Sequence, residues 1–276
     1  MDINNVLLIT WKEILNARRN RWFILYTIVF ALLSLALSWL GLAGVGNYNL
    51  AGFGKTTASL INLILLIVPL MGLTLGAISL AGEREKGTLL YLLAQPVSPF
   101  EVLLGKFLGI GAALLAALLI GFGLSGYLIA LRGGMTQIGS YLSLIGFTLL
   151  LALATLGIGL LISSFMKKAE SAVGMALFLW LFFVFFGDLG LIGSTLFFKL
   201  DIQQVLYISL INPLQAFKLG ALMSMRANLE VLGPVGLYAM RTFGAQLAIL
   251  ISAVLGVWIF SSFVVTYAVI QKKGGL

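Results

Sequence analysis

The chain contains no cysteine and no histidine among its 276 residues. Without thiolate or imidazole it has no Cys/His zinc site and no Cys or His nucleophile arrangement. It also carries no disulfide that would report on redox compartment. Charge is scarce: 9% of residues are Asp, Glu, Lys or Arg, against roughly 25% in an average soluble domain. With 61% hydrophobic residues and a mean hydropathy of +1.12, a soluble globular protein is excluded. The long apolar runs lack the paired carboxylates or lysines that proton-coupled carriers use as relays. A pump driven by its own proton chemistry is therefore not expected.

What is there is a set of uncharged runs long enough to cross a bilayer, whose core demands about 20 apolar residues per helix. They measure 33 positions between Arg21 and Lys55, 27 to Glu83, 25 between Lys106 and Arg132 and 34 to Lys167. Two more hold 17 positions after Glu170 and 30 between Arg241 and Lys272. The expected fold is an all-α membrane protein of six transmembrane helices, one domain over 1–276. A seventh run, 202–217, has 16 positions, and Pro213 near its end removes a backbone donor. It predicts a re-entrant or interfacial broken segment within an external stretch, 193–241.

Basic residues concentrate on the cytoplasmic side of span ends. With the N-terminus inside, 11 of 17 basic residues fall on that side, and four of the other six lie in the external stretch. Both termini are thus expected in the cytoplasm. The net charge of +8 follows from topology and from anionic lipid, with no nucleic-acid partner.

Residues 1–21 read as an amphipathic interfacial helix: Ile3, Leu7, Trp11 and Ile14 share one face, Asn5, Lys12, Asn16 and Arg19 another, and Asp2 can cap the start. The basic cluster follows the amphipathic stretch and no small-residue cleavage site is near, so this segment is expected to stay on the protein. Gly54-Lys55-Thr56-Thr57 imitates the end of a phosphate-binding loop, but Asn49 stands where its first glycine belongs. The chain is not expected to be an enzyme or to hold a cofactor or metal; ATP and Mg would belong to a partner subunit.

The most informative segment is 83–101. Glu83, Arg84, Glu85 and Lys86 end a span, Gly87 permits a sharp turn, Thr88 can cap a short helix bearing Leu89, Leu90, Leu92 and Leu93, and Pro96 stops it. An amphipathic helix of this kind either lies against lipid or docks in a partner's groove. Acidic-x-acidic-x-Gly-Thr-Leu followed by leucines and Gln95-Pro96-Val97-Ser98 resembles the corresponding loop of ABC-2 type transporter permeases. Asn20-Arg21-Trp22-Phe23, Leu104 to Gly109, Phe178 to Val184 running to Asp188, and Asn212-Pro213 with Ala216-Phe217 resemble, more narrowly, the permeases that serve maturation of nitrous oxide reductase.

That resemblance covers essentially the whole chain. It implies a bacterial inner-membrane permease that pairs with a second copy of itself on a cytoplasmic ABC ATPase dimer. ATP would drive export, or mechanical work on a periplasmic partner, in copper-sulfur cluster assembly. The coupling residues would be Glu83, Glu85, Gly87, Thr88, Leu89, Leu92, Leu93 and Pro96. Asn212, Pro213 and Phe217 would serve an external gate or partner docking, or else merely close the bundle. Asp188 is either a pathway position or an interfacial acid paired with Lys199. Met223, Met225 and Met240 are either packing or soft copper ligands. A self-sufficient channel or secondary carrier is the alternative, and it would need a pathway within its own helices.

Overall fold

The computed structural model describes residues 2–43, 49–89, 95–133, 138–197, 200–224, 233–244 and 246–272. All regular structure among them is helical. In hydrocarbon every backbone polar group must be satisfied within its own segment, and a helix does so. The helices are α1 (Ile3–Arg19), α2 (Arg21–Ala43), α3 (Asn49–Glu85), α4 (Pro99–Gly133), α5 (Ile138–Phe165), α6 (Ala169–Phe197), α7 (Ile202–Ile211), α8 (Pro213–Ser224), α9 (Gly233–Phe243) and α10 (Gln246–Lys272).

Six of them, α2, α3, α4, α5, α6 and α10, are long and apolar enough to cross a membrane, as the charge-free runs require. Their limits differ from those runs at charged residues. The helix α4 begins at Pro99 and carries Glu101 and Lys106 inside it, and Gly54 to Thr57 lie within α3, where no phosphate-binding loop can form. The broken segment is present: α7 and α8 meet at 113°.

The centre of the bundle is the α3–α5 pair. It is close because side chains are missing where the two helices cross: a Cβ at Gly76 would lie 2.6 Å from the Leu156 carbonyl oxygen, and one at Gly159 would lie 2.5 Å from that of Leu73. Close backbone approach at small residues is how helices associate where lipid offers no hydrophobic drive. Ser163 of α5 then inserts into the backbone of α3. Its Oγ donates to the Ala77 carbonyl at 2.6 Å and accepts from the amides of Leu80 (2.9 Å) and Ala81 (2.8 Å), which satisfies both the donor and the lone pairs of the hydroxyl. By contrast α2, α6 and α10 leave large apolar side chains exposed, among them Leu32, Phe178, Phe185 and Phe260. Exposure of this kind carries no penalty in lipid.

Asp2 caps α1 by accepting from the Asn4 amide at 2.9 Å, and Asn20 both ends α1 and starts α2, its side chain accepting from the Trp22 amide at 3.0 Å. Phe100 of α4 meets Phe263 and Tyr267 of α10 edge to face. The last turns of α10 therefore lie at the same end of the bundle as α1.

Candidate functional site

At the α1 end of the bundle the residues 83–101 and α1 form one connected structure. The sequence pattern gave α1 two faces and the structure gives it three. Ile3, Leu7, Leu8, Trp11 and Leu15 are exposed, in keeping with a helix lying in the interface. Asn16 and Arg19 turn with Lys12 toward the end of α3. The third face, Val6, Ile9, Glu13 and Ala17, is buried against α4. It fits there because a Cβ at Gly105 would lie 2.7 Å from Ile9 Cβ, and one at Gly109 would lie 2.6 Å from Glu13 Cβ. The small-xxx-small spacing of Gly105 and Gly109 thus serves the docking of α1.

Between those glycines Lys106 is only 1% exposed. Its Nζ donates to Glu13 Oε1 of α1 at 2.8 Å and pairs with Glu83 Oε2 of α3 at 3.0 Å. Lys12 extends the chain of charges to Glu83 Oε1 at 3.2 Å. A lysine this buried must be paired, because an isolated charge out of water is prohibitively costly. Neither Glu13 nor Lys106 is among the site residues expected from the sequence, where Lys106 stands as a charge flanking a span and within the stretch Leu104 to Gly109. A cation between two glycines at helical contact spacing was the available signal.

The acidic-x-acidic motif proves to be a set of ties in different directions. Glu83 reaches α1 and α4. Arg84 Nη1 donates to the Ser163 carbonyl at 3.3 Å and to the Met166 carbonyl, at the C-terminus of α5, where a cation is favoured. Glu85 Oε2 accepts from the Ala169 amide at 2.9 Å, at the N-terminus of α6, where an anion is favoured. Three consecutive residues therefore fasten the end of α3 to α1, α4, α5 and α6.

The turn that follows uses Gly87 at φ +71°, a left-handed conformation in which glycine carries no Cβ penalty. The expected helix cap at Thr88 is realised differently, since its hydroxyl donates back to the Glu83 carbonyl at 3.2 Å and closes the end of α3. Leu89 is buried within this chain, at 6% exposure, and Pro96 is exposed. Leu92 and Leu93 lie outside the described residues. The far end of the segment is a capping box: the Ser98 amide donates to Glu101 Oε2 at 3.0 Å and the Glu101 amide to Ser98 Oγ at 3.3 Å. Glu101 also takes the Asp2 amide at 2.7 Å and Asn5 Nδ2 at 3.3 Å. The helix α1 consequently bridges both ends of 83–101.

Deep among the spans, beside the middle of α6 and of α10, Asn212 makes the bend. Its Nδ2 donates to the Phe183 carbonyl of α6 at 2.8 Å and its Oδ1 accepts from the Leu214 amide at 3.0 Å, capping α8, with Pro213 at the first helical position where a missing donor costs nothing. Phe217 is fully buried in the core of the bundle, so of the three residues predicted for this region it is a packing anchor. Trp258 of α10 donates to the Ile211 carbonyl at 3.1 Å and relieves one orphaned end of α7. Gln215, buried, Lys218 and Asn62 are the polar members of a small, otherwise apolar cavity of about 160 Å3 that Phe183 also lines. The side chain of Asp188, with Lys199, Met225 and Arg226, lies outside the described residues. Met223 and Met240 pack against the core. Among the described residues no group of His, Cys, Asp or Glu is arranged to hold a metal ion.

Six apolar spans with an N-terminal helix docked beside the loop that joins the second span to the third make this a multi-pass helical membrane protein. The chain belongs to the ABC-2 family: the ABC-2 family transporter protein profile matches residues 7–269. A probable ABC transporter permease protein NosY of Pseudomonas aeruginosa is 36% identical over 214 residues, covering 75% of this chain and 78% of that protein. The protein of the same description from Stutzerimonas stutzeri is 31% identical over 280 aligned positions, covering 98% of this chain and 99% of its relative.

Proposed function

We propose that this permease works as a NosY-like subunit in the bacterial inner membrane. It would carry both termini in the cytoplasm, pair with a second copy of itself and stand on a NosF-like ATPase dimer that binds ATP and Mg. The coupling element is 83–101, and α1 is its brace. The observation that carries this reading is the double attachment of α1, to Glu83 and Lys106 at one end of the segment and to Glu101 at the other. A push on the loop then moves α1, α3 and α4 together, while Arg84 and Glu85 pass it to α5 and α6. Gly87, with its left-handed backbone, sets the angle at which the loop leaves α3.

The work so transmitted would reach the broken segment, where Asn212 ties the α7–α8 bend to the middle of α6. There 193–241 would act as an external gate or as the docking surface for a NosD-like periplasmic protein. Asp188 would stand at the pathway between the two copies. The exposed aromatic ridge of α6, with Phe182 stacked on Phe186 at 4.6 Å, offers a surface for the second copy. Similarity to proteins named NosY supports a role in copper-sulfur cluster assembly of nitrous oxide reductase, by export or by periplasmic mechanical work.

The test is at the loop. With Leu89 buried within this chain, Leu92 and Leu93 are the coupling leucines proposed to enter an apolar groove of the ATPase. Leu92→Asp and Leu93→Asp place charge in a desolvated contact at a cost of several kcal/mol. Both variants should insert in the membrane at wild-type levels and lose co-purification of the ATPase. Undiminished co-purification and ATPase activity in both would remove the loop from the mechanism.

A further inference from the structure

Between α1, the end of α3 and the start of α4 lies a cleft of about 530 Å3 whose lining changes with depth. Its mouth is polar and basic, formed by Lys12, Asn16 and Arg19 of α1 with Lys86 and Thr88 after α3. Its floor, deeper in the spans, is mainly apolar, with Leu75 and Ile78 of α3 and Ile110 of α4 beside the single hydroxyl of Ser79. These lie between one and about two helical turns further into the spans than Glu83 and Lys106.

The charges at the cleft do not balance. Four cations, Lys12, Arg19, Lys86 and Lys106, face two carboxylates, Glu13 and Glu83. Lys12 and Lys106 already use both carboxylates. Arg19 and Lys86 are left without an acidic partner among the described residues. On its outer face α1 exposes Leu8, Trp11 and Leu15, which sets this helix, and the mouth of the cleft, at head-group depth.

We propose that the cleft is a binding site for one anionic membrane phospholipid. Its phosphodiester sits between Arg19 and Lys86, and the upper part of one acyl chain lies along Leu75, Ile78 and Ile110. A free phosphate would satisfy the two cations and leave the apolar floor unfilled. The ordered change from basic mouth to apolar floor matches a molecule that is itself anionic at one end and hydrocarbon at the other. The bound lipid would fill the space between α1 and α3 and bridge Arg19 to Lys86, beside the Lys12–Glu83 pair that already joins the two helices. This site depends on membrane insertion only, so its test uses the full chain without an ATPase and stands or falls separately from the coupling role.

Purified chain in neutral detergent would be offered dioleoylphosphatidylglycerol or dioleoylphosphatidylcholine, and retained lipid read by native mass spectrometry. Phosphatidylglycerol should be retained in a one-to-one complex at least about tenfold more strongly than phosphatidylcholine. The pair Arg19→Gln with Lys86→Gln should reduce that retention about tenfold or more, as expected for two cations near a head group. The pair Arg18→Gln with Lys168→Gln removes the same charge from exposed sites outside the cleft and should change it little. Ile78→Trp, or Ile78→Phe if the larger ring disturbs elution, should weaken binding with every cation in place. Equal retention of the two lipids, equal loss in both charge pairs, an unaffected floor variant, or displacement of the lipid by millimolar inorganic phosphate would each overturn the proposal.

Discussion

Lys106 sits where three helices meet and is paired with two carboxylates on different segments. Removing the cation leaves both acids without it, and breaking a buried pair from one side costs about 3–5 kcal/mol. Lys106→Met should therefore lower the thermal unfolding midpoint of the purified chain markedly. Neutralising Lys106 together with both of its carboxylates, Lys106→Met with Glu13→Leu and Glu83→Gln, should recover most of the loss, because an apolar replacement of a buried ion group is often neutral. A midpoint unmoved by Lys106→Met would mean that the network does not hold α1 in place. None of these pairings was legible along the chain, since Glu13 and Lys106 are 93 residues apart and no local pattern links them. Glu83 and Glu85 stand out along the chain as a motif, but their separate destinations depend on which helices happen to end beside α3.

Among the elements, the broken segment shows what periodicity reveals and what it leaves out. A short apolar run closed by Asn212-Pro213 announced a break, because proline lacks the donor that a continuous helix needs. The tertiary bond from Asn212 to Phe183 did not announce itself, and it changes the expected order of sensitivity at the bend. Asn212→Ala loses the cap of α8, worth about 1 kcal/mol, and leaves the Phe183 carbonyl without this donor. Pro213→Ala only restores a donor at a position where none is required. Asn212→Ala should then lower the unfolding midpoint more than Pro213→Ala does; the reverse order would show that the proline holds the bend. If the break also gates the outer end, Asn212→Ala should reduce permease-dependent work while ATPase binding persists. In α1 the exposed apolar face was readable at helical spacing, whereas the docked face was hidden because Glu13 and Ala17 in it do not read as core.

At the level of the molecule, the bilayer did most of the specifying. Six charge-free runs became the six spans, since hydrocarbon admits few charges and only closed hydrogen bonding. Which helices would be central was not written in those runs, and glycine contacts between α3 and α5 decided it. Single cysteines can be introduced into a chain that has none. Those at 86, 168 and 273 should react from the cytoplasmic side, and those at 55, 132 and 226 from the outside. Labelling of 273 from outside would require an odd number of crossings. The burial of Lys106 has a further consequence in the order of synthesis. Chains emerge N-terminus first, and both of its carboxylates, at positions 13 and 83, precede it. When the lysine reaches the membrane its counterions have already been made, so it need never wait there as a naked charge. A circular permutant placing α1 after α10 would reverse that order, and its α4 would have to insert before one of the acids that neutralise it existed.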